Sequence, residues 1–267
     1  MVYLRSVRIP EKEGAWPFNC PALARTGEIA FPTSVTVFVG ENGSGKSTFI
    51  ESLALALRLP AIGSEDTALD RTLWGTSPLA DGMKLTFRKR PKGGFFLRAE
   101  DFFGHTKRID ALQNEMRQEI LRVRAENAHR SRFAQGQAAM AYASSLASLE
   151  EDYGSDPDAR SHGESFLHLF GNRIRNDALY ILDEPEAPLS PSRQLALMRL
   201  IMDCEPRSQF LIATHSPILA AYPNATIYSM DEVPMRQVSY AELENVNLLR
   251  DFLNAPERYL HALKREE

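Results

Sequence analysis

The stretch Gly40-Glu41-Asn42-Gly43-Ser44-Gly45-Lys46-Ser47 leaves this chain few folds to choose from. It follows the pattern G-x-x-x-x-G-K-[ST], whose glycines let successive backbone N–H groups converge on one anion. Both flanks fit the pattern. The run Val35-Thr36-Val37-Phe38-Val39 is apolar and β-branched, as a buried strand is, and Ser47 to Leu59 carries Phe49, Ile50, Leu53, Ala54 and Leu57 at helical spacing. A strand, a glycine loop and a helix in that order form a P-loop, with the positive end of the helix facing the bound phosphates. In such a loop Lys46 reaches the β- and γ-phosphates and the Ser47 hydroxyl ligates Mg²⁺. Asn42, Ser44 and Thr48 complete the expected phosphate cradle, Thr48 as a helix-start or α-phosphate contact.

The chain has 267 residues, 43% of them apolar and 25% charged, enough to bury a full core as one α/β domain, residues 1–267. Its net charge of −4 argues against a protein that coats nucleic acid through overall positive charge. Cys20 and Cys204 are far apart and no C-x-x-C occurs, so no disulfide framework or zinc site is expected. A reducing, cytoplasmic setting fits. No signal-peptide pattern opens the chain, and no apolar run approaches the roughly 20 residues that span a bilayer, so no direct membrane insertion is expected.

In chain order, Tyr3 to Ile9 alternates as a half-buried strand, and Glu28 to Phe31 is a second one ahead of the P-loop. Met83 to Lys89 and Phe95 to Glu100 read as two strands of a β-hairpin closed by Pro91-Lys92-Gly93-Gly94. From about 104 to 158 the pattern is helical and reads as an insertion into the α/β core. One stripe holds Ile109, Leu112, Met116, Ile120 and Val123, a second helix packs Phe133, Met140, Leu146 and Leu149, and Arg117, Arg122, Arg124, Arg130 and Arg132 decorate both. Ser161 and Glu164 form a capping box for the next helix.

Leu179-Tyr180-Ile181-Leu182 is a buried strand with Asp183-Glu184 at its C-terminal edge, where open α/β sheets bind ligands. Downstream of a P-loop, Asp183 holds Mg²⁺ through its waters and Glu184 orients the water that attacks the γ-phosphate. Phe210-Leu211-Ile212-Ala213 is a further strand, ending at His215, which can hydrogen-bond the γ-phosphate. Glu186, two residues beyond the expected base, reads as structural or peripheral, with a much smaller effect on turnover than Glu184.

In this order the residues resemble the ABC-type ATPases, and within them the SMC/RecF-like branch, closest to compact stand-alone bacterial ATPases. The resemblance is carried by Phe38 to Thr48, Gly94 to Glu100, Ser161 to Ser165, Leu182 to Glu186 and Ala213 to Pro217, and covers nearly the whole chain. It implies a P-loop NTPase core sheet flanked by helices, ATP and Mg²⁺ as cofactors, and an ATP-dependent head-to-tail homodimer. In that dimer Ser161 and Gly163 of one subunit would contact the γ-phosphate held by the other, in a signature that departs from Leu-Ser-Gly-Gly-Gln at His162 and Glu164. Glu100 stands, by position, where the family places a metal-linked Gln. The branch also implies DNA, or a DNA-processing protein, as partner. A transporter energy subunit and an ATP-binding regulatory module with little turnover are the competing readings.

Overall fold

The computed structural model describes residues 1–11, 14–62, 71–153 and 162–264. Two sheets organise them. The larger has six strands in the order β5-β6-β7-β3-β8-β9: β3 (Val35–Val39), β5 (Gly93–Arg98), β6 (Ala178–Asp183), β7 (Gln209–Ala213), β8 (Thr226–Ser229) and β9 (Arg236–Val238). All neighbours pair in parallel except β8 with β9. The smaller sheet is antiparallel, with β1 (Leu4–Arg8) between β2 (Glu28–Ala30) and β4 (Lys84–Phe87).

Parallel strands require crossovers, and the crossovers cover both faces of the sheet. Val35, Val37 and Val39 join Tyr180, Leu182, Phe210 and Ile212 in a core on one face. That face is roofed by α7 (His162–Arg173) and α8 (Pro191–Cys204), through Phe166, Phe170, Leu197 and Ile201. Phe38, Phe96, Ile181 and Leu211 point the other way, into a core shared with Phe49, Ile50, Leu53 and Ala54 of α2 (Lys46–Leu57) and with the smaller sheet. Burial on both faces is why these strands read as unbroken apolar runs. The two sheets are tied by Gln209, whose buried amide oxygen accepts the N–H groups of Tyr3 and Leu4 at 2.8 Å while its nitrogen donates to Leu4 O at 2.9 Å.

The expected β-hairpin does not form. β4 pairs with β1 in the small sheet and β5 pairs with β6 in the large one, so Arg88 to Lys92 passes between sheets and closes no turn of one. Local residue types favoured a hairpin; long-range pairing with β1 and β6 won.

The helical stretch begins earlier than expected, at α4 (Ala99–Glu126), and continues through α5 (Arg132–Ala138) and α6 (Met140–Tyr153). In α4, Ile109 and Ile120 are buried as their spacing predicts, but Gln113 is fully buried where Leu112 was expected. Phe133 and Met140 are exposed. The chain continues through the short α1 (Pro21–Ala24), α3 (Ser77–Gly82) and α9 (Pro217–Ala220) and ends in α10 (Glu244–Asn254) and α11 (Pro256–Leu263). Among the described residues no helix is long and apolar enough to cross a membrane.

Gly94 shows how closely β5 and β6 approach. Its φ is +144°, and a Cβ there would lie 1.8 Å from the Leu179 carbonyl oxygen, whereas one on Gly93 would meet nothing within 4 Å. Gly94→Ala should therefore lose about 3 kcal/mol or more of stability in urea denaturation, while Gly93→Ala stays within about 0.5 kcal/mol of the parent.

Candidate active site

β7 lies between β3 and β6, so the C-terminal ends of three parallel strands meet at one edge. They deliver Gly40, Asp183 with Glu184, and Thr214 with His215.

The loop from Gly40 to Gly45 is clamped on two sides. Gly43 and Gly45 take φ values of +83° and +103°, which side chains disfavour. A Cβ on Gly45 would also fall 2.0 Å from Cys20 Sγ, and the Cys20 thiol donates to Ser44 O at 3.4 Å. From the opposite side Asp231, just after β8, accepts the Glu41 N–H at 2.5 Å.

Lys46 opens α2 with only 4% of its surface exposed. Its ammonium donates to the Gly40 and Glu41 carbonyls at 2.7 and 3.0 Å. Burial holds its pKa below the ordinary lysine value, and the carboxylates of Glu184, Asp231, Asp183 and Glu186 oppose that shift.

Asp183 is buried among acids. Desolvation first, then the charges of Glu184 and Glu51, push its carboxyl up to about 7, against the pull of the Ser47 hydroxyl and Arg98. Its Oδ1 is buried without a hydrogen-bond donor. A carboxylate oxygen left open beside a serine hydroxyl suits a hard, oxygen-seeking cation, so Ser47 and Asp183 fit Mg²⁺. Arg98 stands across the ladder from Asp183 and pairs at 3.1 Å with Glu51 of α2, locking β5 to the P-loop helix.

Glu184 adopts a left-handed backbone at φ +48°, rare and costly for a residue with a side chain. Its N–H is anchored on Ala213 O at 2.9 Å. Its Oε1 lies 3.2 Å from His215 Nε2, out of line for a hydrogen bond, so the ring nitrogen has no hydrogen-bond partner among the described residues.

A cavity of about 460 Å³ opens on the phosphate loop, lined by Asn42, Gly43, Gly45, Lys46, Ser47, Thr48 and Glu184, but not by Asp183 or His215. Its other wall is the Trp16, Asn19, Cys20 and Pro21 segment, which sequence reasoning missed. Trp16 keeps half its surface exposed, and a Cβ on Gly75 would lie 2.3 Å from its ring, so the indole rests on Gly75 beside the phosphate loop. A tryptophan in a Pro- and Gly-rich loop was the available signal. Asp231 had none, being 190 residues from its partner.

Other expected residues stand apart. Ser161, and with it the capping box, lies outside the described residues; the Glu164 carboxylate pairs with Arg193 at 2.7 Å. Gly163 lines no part of the cavity, and a Cβ on it would lie 2.9 Å from Pro188 O. Glu100 falls in the first turn of α4, but its side chain lies outside the described residues.

Residues 18–67, which include the phosphate loop, match the family described as "AAA domain". Residues 125–221, which include Gly163, Asp183, Glu184 and His215, match "AAA domain, putative AbiEii toxin, Type IV TA system". With the P-loop and the acidic and histidine strand ends at one sheet edge, these two AAA-domain matches mark a P-loop nucleotide-binding fold.

Among curated proteins the chain is similar to a "Putative ABC transporter ATP-binding protein" of Bifidobacterium longum, 30% identical over 183 residues, 67% of this chain. It spans only 21% of that relative's length. Among solved structures it is similar to the Smc head domain of Pyrococcus furiosus, determined bound to the C-terminal domain of ScpA, with 12% identity, TM-score 0.47, and coverage of 99% of this chain and 100% of that one. A nucleotide-free ATP-binding cassette from an ABC transporter gives 18% identity, TM-score 0.48, and coverage of 96% and 97%.

The buried Asp183 carries a pH signature. With a folded-state pKa near 7 against 3.8 ordinarily, the folded chain keeps a proton there that the unfolded chain has already released. Stability should thus fall as pH rises from about 4 to about 7. Asp183→Asn, in EDTA without nucleotide, should stabilise the protein at pH 8 by up to about 4 kcal/mol. That gain should vanish near pH 4, as followed by thermal melting across the pH range.

Proposed function

We propose that this chain is a Mg²⁺-dependent ATP hydrolase that works as a nucleotide-gated head-to-tail dimer and is coupled to DNA maintenance, repair or defence. The observation that supports hydrolysis most is the approach of Glu184 and His215 to within 3.2 Å of each other at the mouth of the phosphate loop. In this reading the N–H groups of the loop and the Lys46 ammonium hold the β- and γ-phosphates, Lys46 exchanging its present carbonyl partners for phosphate oxygens. Glu184 accepts a hydrogen bond from the attacking water and takes its proton as the new P–O bond forms and the bond from the γ-phosphorus to the bridging oxygen breaks, releasing ADP. His215 donates to the γ-phosphate from the ring nitrogen that makes no hydrogen bond among the described residues. Ser47 and Asp183 would hold Mg²⁺, which when bound neutralises charge on the phosphate oxygens.

Gly163 is buried against Arg193 and Pro188 of its own chain and does not line the cavity. Ser161 and Gly163 are assigned to the partner's γ-phosphate on the resemblance of the stretch from Ser161 to Ser165 to the ABC signature alone. One domain with a helical insertion, in the cytoplasm, is the setting proposed.

The turn between α4 and α5 supports the DNA reading. Leu121 to Phe133 contains Arg122, Arg124, Arg130 and Arg132 against the single acid Glu126, in a chain of net charge −4. Arg124, Arg130 and Arg132 form no ion pair among the described residues, and Phe133 beside them is 76% exposed. Exposed guanidinium groups beside an exposed ring suit a nucleic-acid backbone and its bases. The toxin–antitoxin description of the matching family favours defence among these roles. The name of the Bifidobacterium relative favours a transporter energy subunit, the second reading.

ATPase activity measured with and without duplex and single-stranded DNA at two salt concentrations separates them. Stimulation that fades with salt is expected for the first; a rate indifferent to DNA supports the second. Glu184→Gln should keep ATP binding and lose about a hundredfold or more in turnover. It should then accumulate as an ATP-dependent dimer in light scattering, while Lys46→Ala stays monomeric because it cannot hold ATP productively. A Glu184→Gln protein that remains monomeric at high concentration with ATP would contradict the head-to-tail arrangement.

A further inference from the structure

Glu186 has a place in the structure that its sequence position did not announce. Its Oε1 accepts the N–H of His215 at 2.7 Å and the N–H of Ser216 at 3.1 Å, the latter shared with Thr214 Oγ1 at 2.9 Å. Its Oε2 is buried with no donor. A carboxylate that is partly buried and only half satisfied costs stability, so packing alone does not account for it.

The loop it grips is held from two other directions. Asn245 of α10 donates to His215 O at 3.3 Å, and the Ser216 hydroxyl donates to Gln194 of α8 at 2.5 Å while capping α9 through the Ile218 and Leu219 N–H groups. Glu186 is the member that comes from the loop carrying Glu184. The left-handed turn at Glu184 and the intervening Pro185 direct the two carboxylates to opposite ends of one residue. Glu184 faces the His215 imidazole and Glu186 holds the His215 amide.

We propose that Glu186 is a positioning residue, which fixes the backbone of His215 so that its imidazole stays against Glu184. It touches neither nucleotide nor water. Its carboxylate makes the loop after β6 and the loop after β7 move as one body, so a displacement of Glu184 carries His215 with it.

This inference rests on the hydrolytic reading for its catalytic consequence, and its geometric part can be tested without hydrolysis. Three variants separate reach, charge and acceptor. Glu186→Gln keeps an acceptor oxygen at the same reach, Glu186→Asp keeps the charge but is one methylene short, and Glu186→Ala removes both. Amide hydrogen exchange of the nucleotide-free proteins, read residue by residue by NMR, should show His215 and Ser216 exchanging about tenfold or more faster in the Ala and Asp variants. The Gln variant should stay near the parent rate, and the amides of β6 and β7 should be unchanged throughout.

In steady-state ATPase assays the Ala and Asp variants should lose about tenfold or more in kcat with KM for ATP changed less than about twofold, and Gln should restore kcat. Parent-like exchange at His215 and Ser216 in Glu186→Ala overturns the grip, as does parent-like kcat in that variant if the parent turns over. Should Glu186→Ala fail to fold, the contrast between Gln and Asp decides on the same two readouts. Should the parent itself not hydrolyse ATP, the hydrolytic reading fails while the exchange measurement still judges the positioning role.

Discussion

The hydrogen bonding of β7 on both sides, in parallel to β3 and to β6, is the constraint on which the candidate site depends. Parallel pairing aligns strand directions, so the three strand ends that carry Gly40, Asp183 and Thr214 arrive at one edge. It also forbids short turns between neighbours, and the required crossovers become the helices that cover each face. The same pairing therefore produces the core and the cavity. Gln209, at the start of β7, extends it to the antiparallel sheet by occupying the backbone of Tyr3 and Leu4.

Stability is given up locally at that edge. Lys46 is buried as a cation, the Asp183 carboxyl is driven to about 7 by desolvation, and Glu184 holds a left-handed backbone. Ser44 Oγ, Asp183 Oδ1, Glu186 Oε2 and His215 Nε2 are buried without hydrogen-bond partners among the described residues. None of these features helps the chain fold, and each is compensated by the two cores beneath. Such a concentration of locally unfavourable groups marks a candidate ligand site.

The stretch between β5 and β6 follows a different logic. α4 and α6 pack on each other with help from an Arg117–Glu150 pair at 2.9 Å, yet α5 buries none of its residues. The turn before it is shaped by side chains: Asn127 donates to Val123 O at 2.8 Å, and Gln135 donates to Arg130 O at 3.0 Å. The turn presents Arg124, Arg130, Arg132 and the Phe133 ring to solvent.

The sequence by itself determined the local pieces of the site. Gly40 to Ser47 admits one loop geometry because Gly43 and Gly45 need left-handed φ values, and the apolar runs of β3, β6 and β7 could belong only to a sheet buried on both faces. Asp183, Glu184 and His215 were legible because they close such runs. Tertiary structure decided what locality could not. It sent β4 and β5 to different sheets, since strand pairing is settled by partners 80 residues away. It brought Asp231 and Cys20 to the phosphate loop, and placed the Glu186 carboxylate on the amides of His215 and Ser216. A single side chain's hydrogen bond to a distant backbone leaves no periodicity in the sequence; it exists only after the strands between have taken their order.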